Sequence, residues 1–123
     1  MRILKTLSLT LVLVFASAQL ALAGATYDQV METKTIRCGL MTNSIPGAYF
    51  NEDGDWVGFD VDIAKEIADR LGCKLERVKV TDKTRITFIQ QGRIDMSVAN
   101  MTHKRERDKS IDFSITYFYD GQK

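Results

Sequence analysis

A short segment near the C-terminal end of the sequence has the residue types and spacing to hold an anion. Asn100-Met101-Thr102 closes a run of strand character, and the turn after it leads into a charged stretch of helical composition. Free main-chain amides at the positive end of a helix make a site for a carboxylate or phosphate. Arg107, one turn further on, would add a bidentate guanidinium to a bound carboxylate. The plainer alternative is that His103 to Lys109 is a solvated stretch whose charges pair locally, and spacing alone favours it. Other tempting residues point to structure. Trp56 and Phe59 read as packing beside a turn and a helix, and Asp95 reads as structural at the start of a strand. His103 has no Cys, Asp or Glu set at metal-ligand spacing and reads as a surface residue, so neither a metal nor another cofactor is expected.

The elements that must position this segment alternate. Thr35 to Met41 is β-rich enough for a strand, and a loop containing Asn, Ser, Pro and Gly follows. Two short extended pieces, Tyr49-Phe50 and Trp56-Val57, flank the turn Asn51-Glu52-Asp53-Gly54-Asp55. Ile63, Ala64, Ile67, Ala68 and Leu71 form one apolar stripe at helical spacing, with Asp60 or Asp62 as N-terminal cap and Gly72 as C-terminal cap. Lys74 to Val80 alternates with period two and reads as a strand. A short helix over Thr84 to Gln91, a strand over Ile94 to Ala99, a helical turn or two over His103 to Lys109 and an extended aromatic run from Ile111 to Tyr119 complete the pattern. Strands alternating with helices predict an α/β fold, a parallel sheet with helices on both faces. Ligands of such sheets bind beyond the C-terminal ends of the strands, which selects the loops 41–50, 81–85 and 100–107.

Composition and charge set the class. The 123 residues are 45% hydrophobic and 27% charged, which excludes disorder, collagen-like repeats and multi-span membrane proteins. Residues 1–23 carry Arg2 and Lys5, then an apolar run, then Ala21-Leu22-Ala23, the order of a cleaved secretory signal. Residues 24–34 read as a polar lead-in and 35–123 as the folded part. Without residues 1–23, 15 basic face 16 acidic side chains, and so near-neutral a balance gives no support for a nucleic-acid partner. Export would permit a disulfide, yet Cys38 falls mid-strand and Cys73 at the start of another, so two buried thiols are favoured over a bridge.

Several motifs then fall in one order and spacing. They are Gly54-x-x-Val57-Gly58-Phe59-Asp60-Val61-Asp62-Ile63-Ala64, Leu71-Gly72, Arg85-Ile86-x-x-Ile89-Gln90-x-Gly92-x-x-Asp95, Met101-Thr102-x-x-x-Glu106-Arg107 and Asp112-Phe113-Ser114. Together they resemble the first lobe of bacterial extracellular solute-binding proteins of family 3, the periplasmic amino-acid receptors of ABC importers. The resemblance covers about Thr35 to Lys123. It implies a partial periplasmic-binding-protein lobe with the second lobe absent, located in the periplasm. It implies a small polar α-amino acid as ligand, the membrane subunits of an ABC transporter as partners, and no catalysis.

The resemblance also assigns roles. Arg107 matches the arginine that grips the α-carboxylate, and Thr102 the hydroxyl residue that contacts the carboxylate or ammonium group. Asn100 matches a position offering its carbonyl to the ammonium, and Ser44 stands where an aromatic lid is common. Arg85 has two readings side by side: an arm reaching a side-chain carboxylate, as in glutamate/aspartate receptors, or a surface cation at a helix N-terminus. Met41 stands where acidic-ligand members place a second arginine, and Lys104 where a threonine usually caps the short helix, a role lysine cannot fill because it offers no acceptor. Half a site would leave the ligand open to water on one face, with millimolar or weaker affinity. Alternatives share the fold: an enzyme similar to periplasmic cyclohexadienyl dehydratases, and either a remnant that binds no ligand or a lobe that swaps or pairs with a second copy to cover its exposed edge.

Overall fold

The computed structural model describes residues 24–119; the signal-like segment 1–23 lies outside the described residues. Ala25–Thr33 is a helix, α1, where a polar lead-in was expected. Its nine residues contain neither Pro nor Gly, Asp28 complements the N-terminal amides, and Gly24 accepts the Asp28 amide at 2.9 Å. Polar composition concealed a sequence with nothing in it to break a helix. No helix among the described residues is long and apolar enough to cross a membrane.

From Lys34 the alternating pattern appears as expected. The strands are β1 (Thr35–Leu40), β2 (Asn43–Ser44), β3 (Ala48–Phe50), β4 (Trp56–Val57), β5 (Lys74–Lys79) and β6 (Met96–Ser97), with helices α2 (Phe59–Leu71) and α3 (Arg85–Gln90). The main sheet has the order β5-β1-β6 and is parallel, pairing Thr35 with Lys74 and Cys38 with Met96. Beside it runs a small antiparallel sheet, β2-β3-β4, in which Asn43 opposes Tyr49 and Phe50 opposes Trp56. The period-two pattern of β1 divides the core. Cys38 and Leu40 meet Val61 and Ala64 of α2 on one face, while Val80, Ile94 and Ala99 pack with Phe88 and Ile89 of α3 on the other. Each helix buries its stripe on a different side, as right-handed crossovers require.

Local signals held at the ends of α2 in unequal measure. Gly72 closes it in the left-handed conformation (φ 64°), and the Cys73 amide reaches Ala68 O at 2.9 Å. At the start, neither Asp60 nor Asp62 caps: Gly58 holds the cap position with no side-chain bond. The loop before it does the work instead, with Phe59 N donating to Pro46 O (3.1 Å) and Asp60 N to Gly47 O (2.8 Å). The third strand is shorter than expected, although Asp95 N to Arg37 O (2.8 Å) and Val98 N to Gly39 O (3.0 Å) continue its pairing at both ends. Residues 105–110 form tight turns and no helix, closed by Arg107 N to Lys104 O, Ser110 N to Arg107 O and Ile111 N to Arg107 O. With lysine at the position where an acceptor would cap the turn, nothing nucleates a helix there. The segment 111–119 pairs with no strand among the described residues.

Asp95 is structural as read. Its carboxylate, almost wholly buried, accepts the Arg37 amide (2.8 Å), Nε (3.0 Å) and Nη2 (2.6 Å), tying β1 to the entry of β6. Cys38 and Cys73 are both buried and form no disulfide with each other. Cys73 precedes the residue that pairs with Thr35, so about four residues, ~13 Å of strand, separate it from the level of Cys38.

Candidate functional site

A cavity of about 890 Å³ opens beyond the C-terminal ends of β1 and β6. Three segments wall it. The loop after β1 contributes Ser44 and Gly47, with Phe59 and Asp60 from the start of α2 beside them. The loop after β6 contributes Asn100, Met101, Thr102 and His103. The third wall is Phe113 to Tyr119. Two of the three loops selected from the strand order thus converge, because parallel strands deliver all their C-terminal loops to one edge.

The Asn100–Arg107 segment is built from contacts that its sequence spacing allowed. Asn100 adopts φ 50°, a left-handed conformation that Asn tolerates better than most residues, and this turns the chain sharply out of β6. Arg107, half-buried, donates Nη1 to the Thr102 carbonyl at 2.6 Å, which fixes the guanidinium beside the Thr102 main chain. Thr102 itself is exposed to the cavity. The expected positive helix end is missing, since residues 105–110 are turns; the positive charge here comes from Arg107.

Arg85 stands beneath this loop, and its burial overturns the surface-cation reading: the residue is 6% exposed. Its Nη1 donates to the carbonyls of Ala99 and Asn100, the latter at 3.2 Å, and Nη2 pairs with Asp82 at 2.9 Å. Burial lowers its pKa most; Asp82 opposes this and the nearby charge of Arg107 adds to it. Two guanidiniums therefore flank one short stretch of main chain. Arg85 does not line the cavity. Among the predicted site residues, Ser44, Asn100 and Thr102 line the cavity; Arg107 does not line it and meets the lining only through the Thr102 carbonyl, and Arg85 lies behind it.

Residues that the sequence did not single out also face the cavity. Phe59, read as packing, is 44% exposed and lies 6.2 Å from the Tyr117 ring and 5.5 Å from that of Phe118. Trp56 does pack, with Phe50 at 5.4 Å and its Nε1 on Met41 O at 2.7 Å. Phe59 differs because it is the first residue of α2 and lines the cavity. Asp60 is 4% exposed, and its Oδ2 has no hydrogen-bond partner. Burial raises its pKa, and a hydrogen bond from Tyr117 opposes the rise. Burial together with the negative charge of Asp60 pushes the Tyr117 hydroxyl up to about 12. A helix-starting acid two residues after a glycine was the only available signal, and it suggested a cap. Among the described residues no cluster of His, Cys, Asp or Glu could hold a metal ion.

A parallel α/β lobe with a cavity of mixed polar and aromatic lining at its carboxyl edge is the architecture of periplasmic binding protein domains. The sequence profile of the bacterial extracellular solute-binding proteins, family 3, matches residues 36–123, and the chain belongs to that family. It is 38% identical to the ABC transporter glutamine-binding protein GlnH of Bacillus subtilis over 96% of this chain and 50% of that protein. It is 31% identical to a cyclohexadienyl dehydratase of Pseudomonas aeruginosa over 87% of this chain and 40% of the enzyme. Among solved structures, the arginine-bound form of domain 1 from TmArgBP superposes with a TM-score of 0.71 at 38% identity, covering 73% of this chain and 71% of that one. The chain spans half or less of the length of these two curated relatives.

Proposed function

We propose that this protein is the extracytoplasmic receptor of an amino-acid ABC importer, exported by its signal-like segment 1–23 to the periplasm, and that it binds a polar α-amino acid. The α-carboxylate is held by the Arg107 guanidinium together with the hydroxyl and amide of Thr102. The Asn100 carbonyl accepts from the ammonium group, and Ser44 faces the ligand from the opposite loop. Arg85 acts from behind, holding the Ala99 and Asn100 carbonyls in place. The observation that carries this reading is the 2.6 Å contact between Arg107 and Thr102 at the rim of a cavity beyond the strand ends. Kinship with a glutamine-binding transporter protein supports it, as does a solved single domain in its arginine-bound form.

Calorimetric titration with a panel of amino acids tests the proposal. Arg107→Ala should weaken every α-amino acid alike, by about tenfold, which corresponds to ~1.4 kcal/mol. Equal affinities for the variant and the parent protein would refute the carboxylate assignment. The 31% identical dehydratase supports a second reading, an enzyme on the same fold. Turnover of a cyclohexadienyl acid by this chain would establish that reading in place of the first.

A further inference from the structure

The turn that carries Arg107 has no regular secondary structure, so something other than a hydrogen-bond ladder must hold its shape. His103 Nε2 lies 2.6 Å from Asp108 Oδ1, across the same turn that Arg107 closes on the Thr102 carbonyl. The two pairs interleave: His103 follows Thr102, and Asp108 follows Arg107. The flat of the imidazole rests on Phe113, with centroids 4.7 Å apart and planes tilted by 33°, which joins the turn to the third cavity wall. His103 also lines the cavity. It is the only histidine of the chain.

We propose that His103 and Asp108 form a pH-responsive clasp that positions Thr102 and Arg107 for the ligand carboxylate. The proposal rests on the amino-acid receptor reading of the same site. His103 is thus a positioning residue. Its side chain fixes the turn, and the residues on either side make the grip.

Imidazole is the side chain whose charge ordinarily changes between pH 5 and 8. As imidazolium it forms a charge-assisted pair with Asp108 and adds a positive charge to a site that receives an anion. As neutral imidazole it retains only an ordinary hydrogen bond. The grip is therefore firmer in acid and looser in base. Asp108 and the uncharged Phe113 ring are the groups in contact with the imidazole; Lys104, Arg105 and Glu106 share its turn, Asp60 lines the cavity from the start of α2, and Tyr117 lines it from the same wall as Phe113. Tyr117 stays neutral over this range, its hydroxyl being pushed up to about 12. Asp60 is the carboxylate that lines the cavity, so it needs its own control.

Titrate L-glutamine and L-arginine into the protein at pH 5.5, 6.5 and 8.0, using the parent protein and the His103→Asn, Asp108→Asn and Asp60→Asn variants. Both ligands should bind about threefold more tightly at pH 5.5 than at pH 8.0, the size appropriate to a half-exposed ion pair. His103→Asn and Asp108→Asn should each flatten that profile, and Asp60→Asn should leave it in place. A flat profile in the parent protein, a profile surviving in His103→Asn, or one abolished by Asp60→Asn would overturn the clasp. If neither amino acid binds at any pH, the receptor reading fails, and the clasp is then read without ligand. Amide exchange at Thr102 and Arg107, corrected for intrinsic rates, should be about threefold more protected at pH 5.5 than at pH 8.0 in the parent protein only. Equal protection at both pH values, or the same difference in His103→Asn, would overturn it.

Discussion

Replacing Gly58 by alanine should do more damage than any other single methyl added to α2. Gly58 has φ 126°, a region that side-chain-bearing residues enter at a cost of about 1–3 kcal/mol. Its added Cβ would lie 2.3 Å from Gly47 O and 2.8 Å from Pro46 O, and both atoms are main chain with no rotamer to yield. Those same oxygens accept the first amides of α2, from Asp60 at 2.8 Å and Phe59 at 3.1 Å. Relieving the clash means lifting the helix from the loop, at about 1 kcal/mol for each hydrogen bond lost. The total is roughly 3–5 kcal/mol, a large part of the stability of a small domain. Gly72→Ala, at the other end of the same helix, is the control: φ is 64° and no atom stands within 4 Å of the added methyl. It should cost only the left-handed backbone term, about 1–2 kcal/mol. Urea unfolding monitored by circular dichroism measures both. Thermal midpoints should fall by about 4–8 °C per kcal/mol. Gly58→Ala should also weaken amino-acid binding, because the loop it displaces carries Ser44 and Gly47 of the cavity wall. Equal destabilisation by the two variants would refute the steric account.

Other outcomes follow from buried groups. Asp95→Ala leaves the Arg37 guanidinium without its carboxylate and removes three accepted hydrogen bonds, so urea denaturation should show a loss of about 3–4 kcal/mol. The Cys38 thiol, pushed up to about 12 by burial, should resist maleimide at pH 8 in the folded protein and react in urea, as read by mass spectrometry. Asp60 has its pKa raised by burial, so the folded chain binds a proton that the unfolded chain releases, and stability is gained as pH falls through the raised value. Asp60→Asn should therefore be more stable than the parent at pH 7, with an advantage that shrinks as the pH is lowered toward 4; an advantage that grows would reverse the sign of the argument.

Much of this molecule was legible in one dimension. The apolar stripe of α2, the glycine that ends it, the alternation in β5 and the order of strands and helices all depend on neighbours within one or two turns of chain, and those neighbours are present in the string. The family motifs were legible for the same reason, and so was the convergence of two loops, since parallel strands leave no other place for them. The tertiary structure decided what happens to charged and aromatic side chains at element ends. Asp60 looked like a cap and became a buried acid because the helix already begins at Phe59, where the Pro46 and Gly47 carbonyls, a dozen residues upstream, accept the first two amides. Arg85 looked like either a ligand arm or a solvated cation and was turned under β6, where the Ala99 and Asn100 carbonyls needed donors. Phe59 looked like packing beside a turn and a helix, and lines the cavity against the rings of Tyr117 and Phe118. Burial of a polar group is fixed by which distant segment covers it, and that is a property of the fold and not of local spacing.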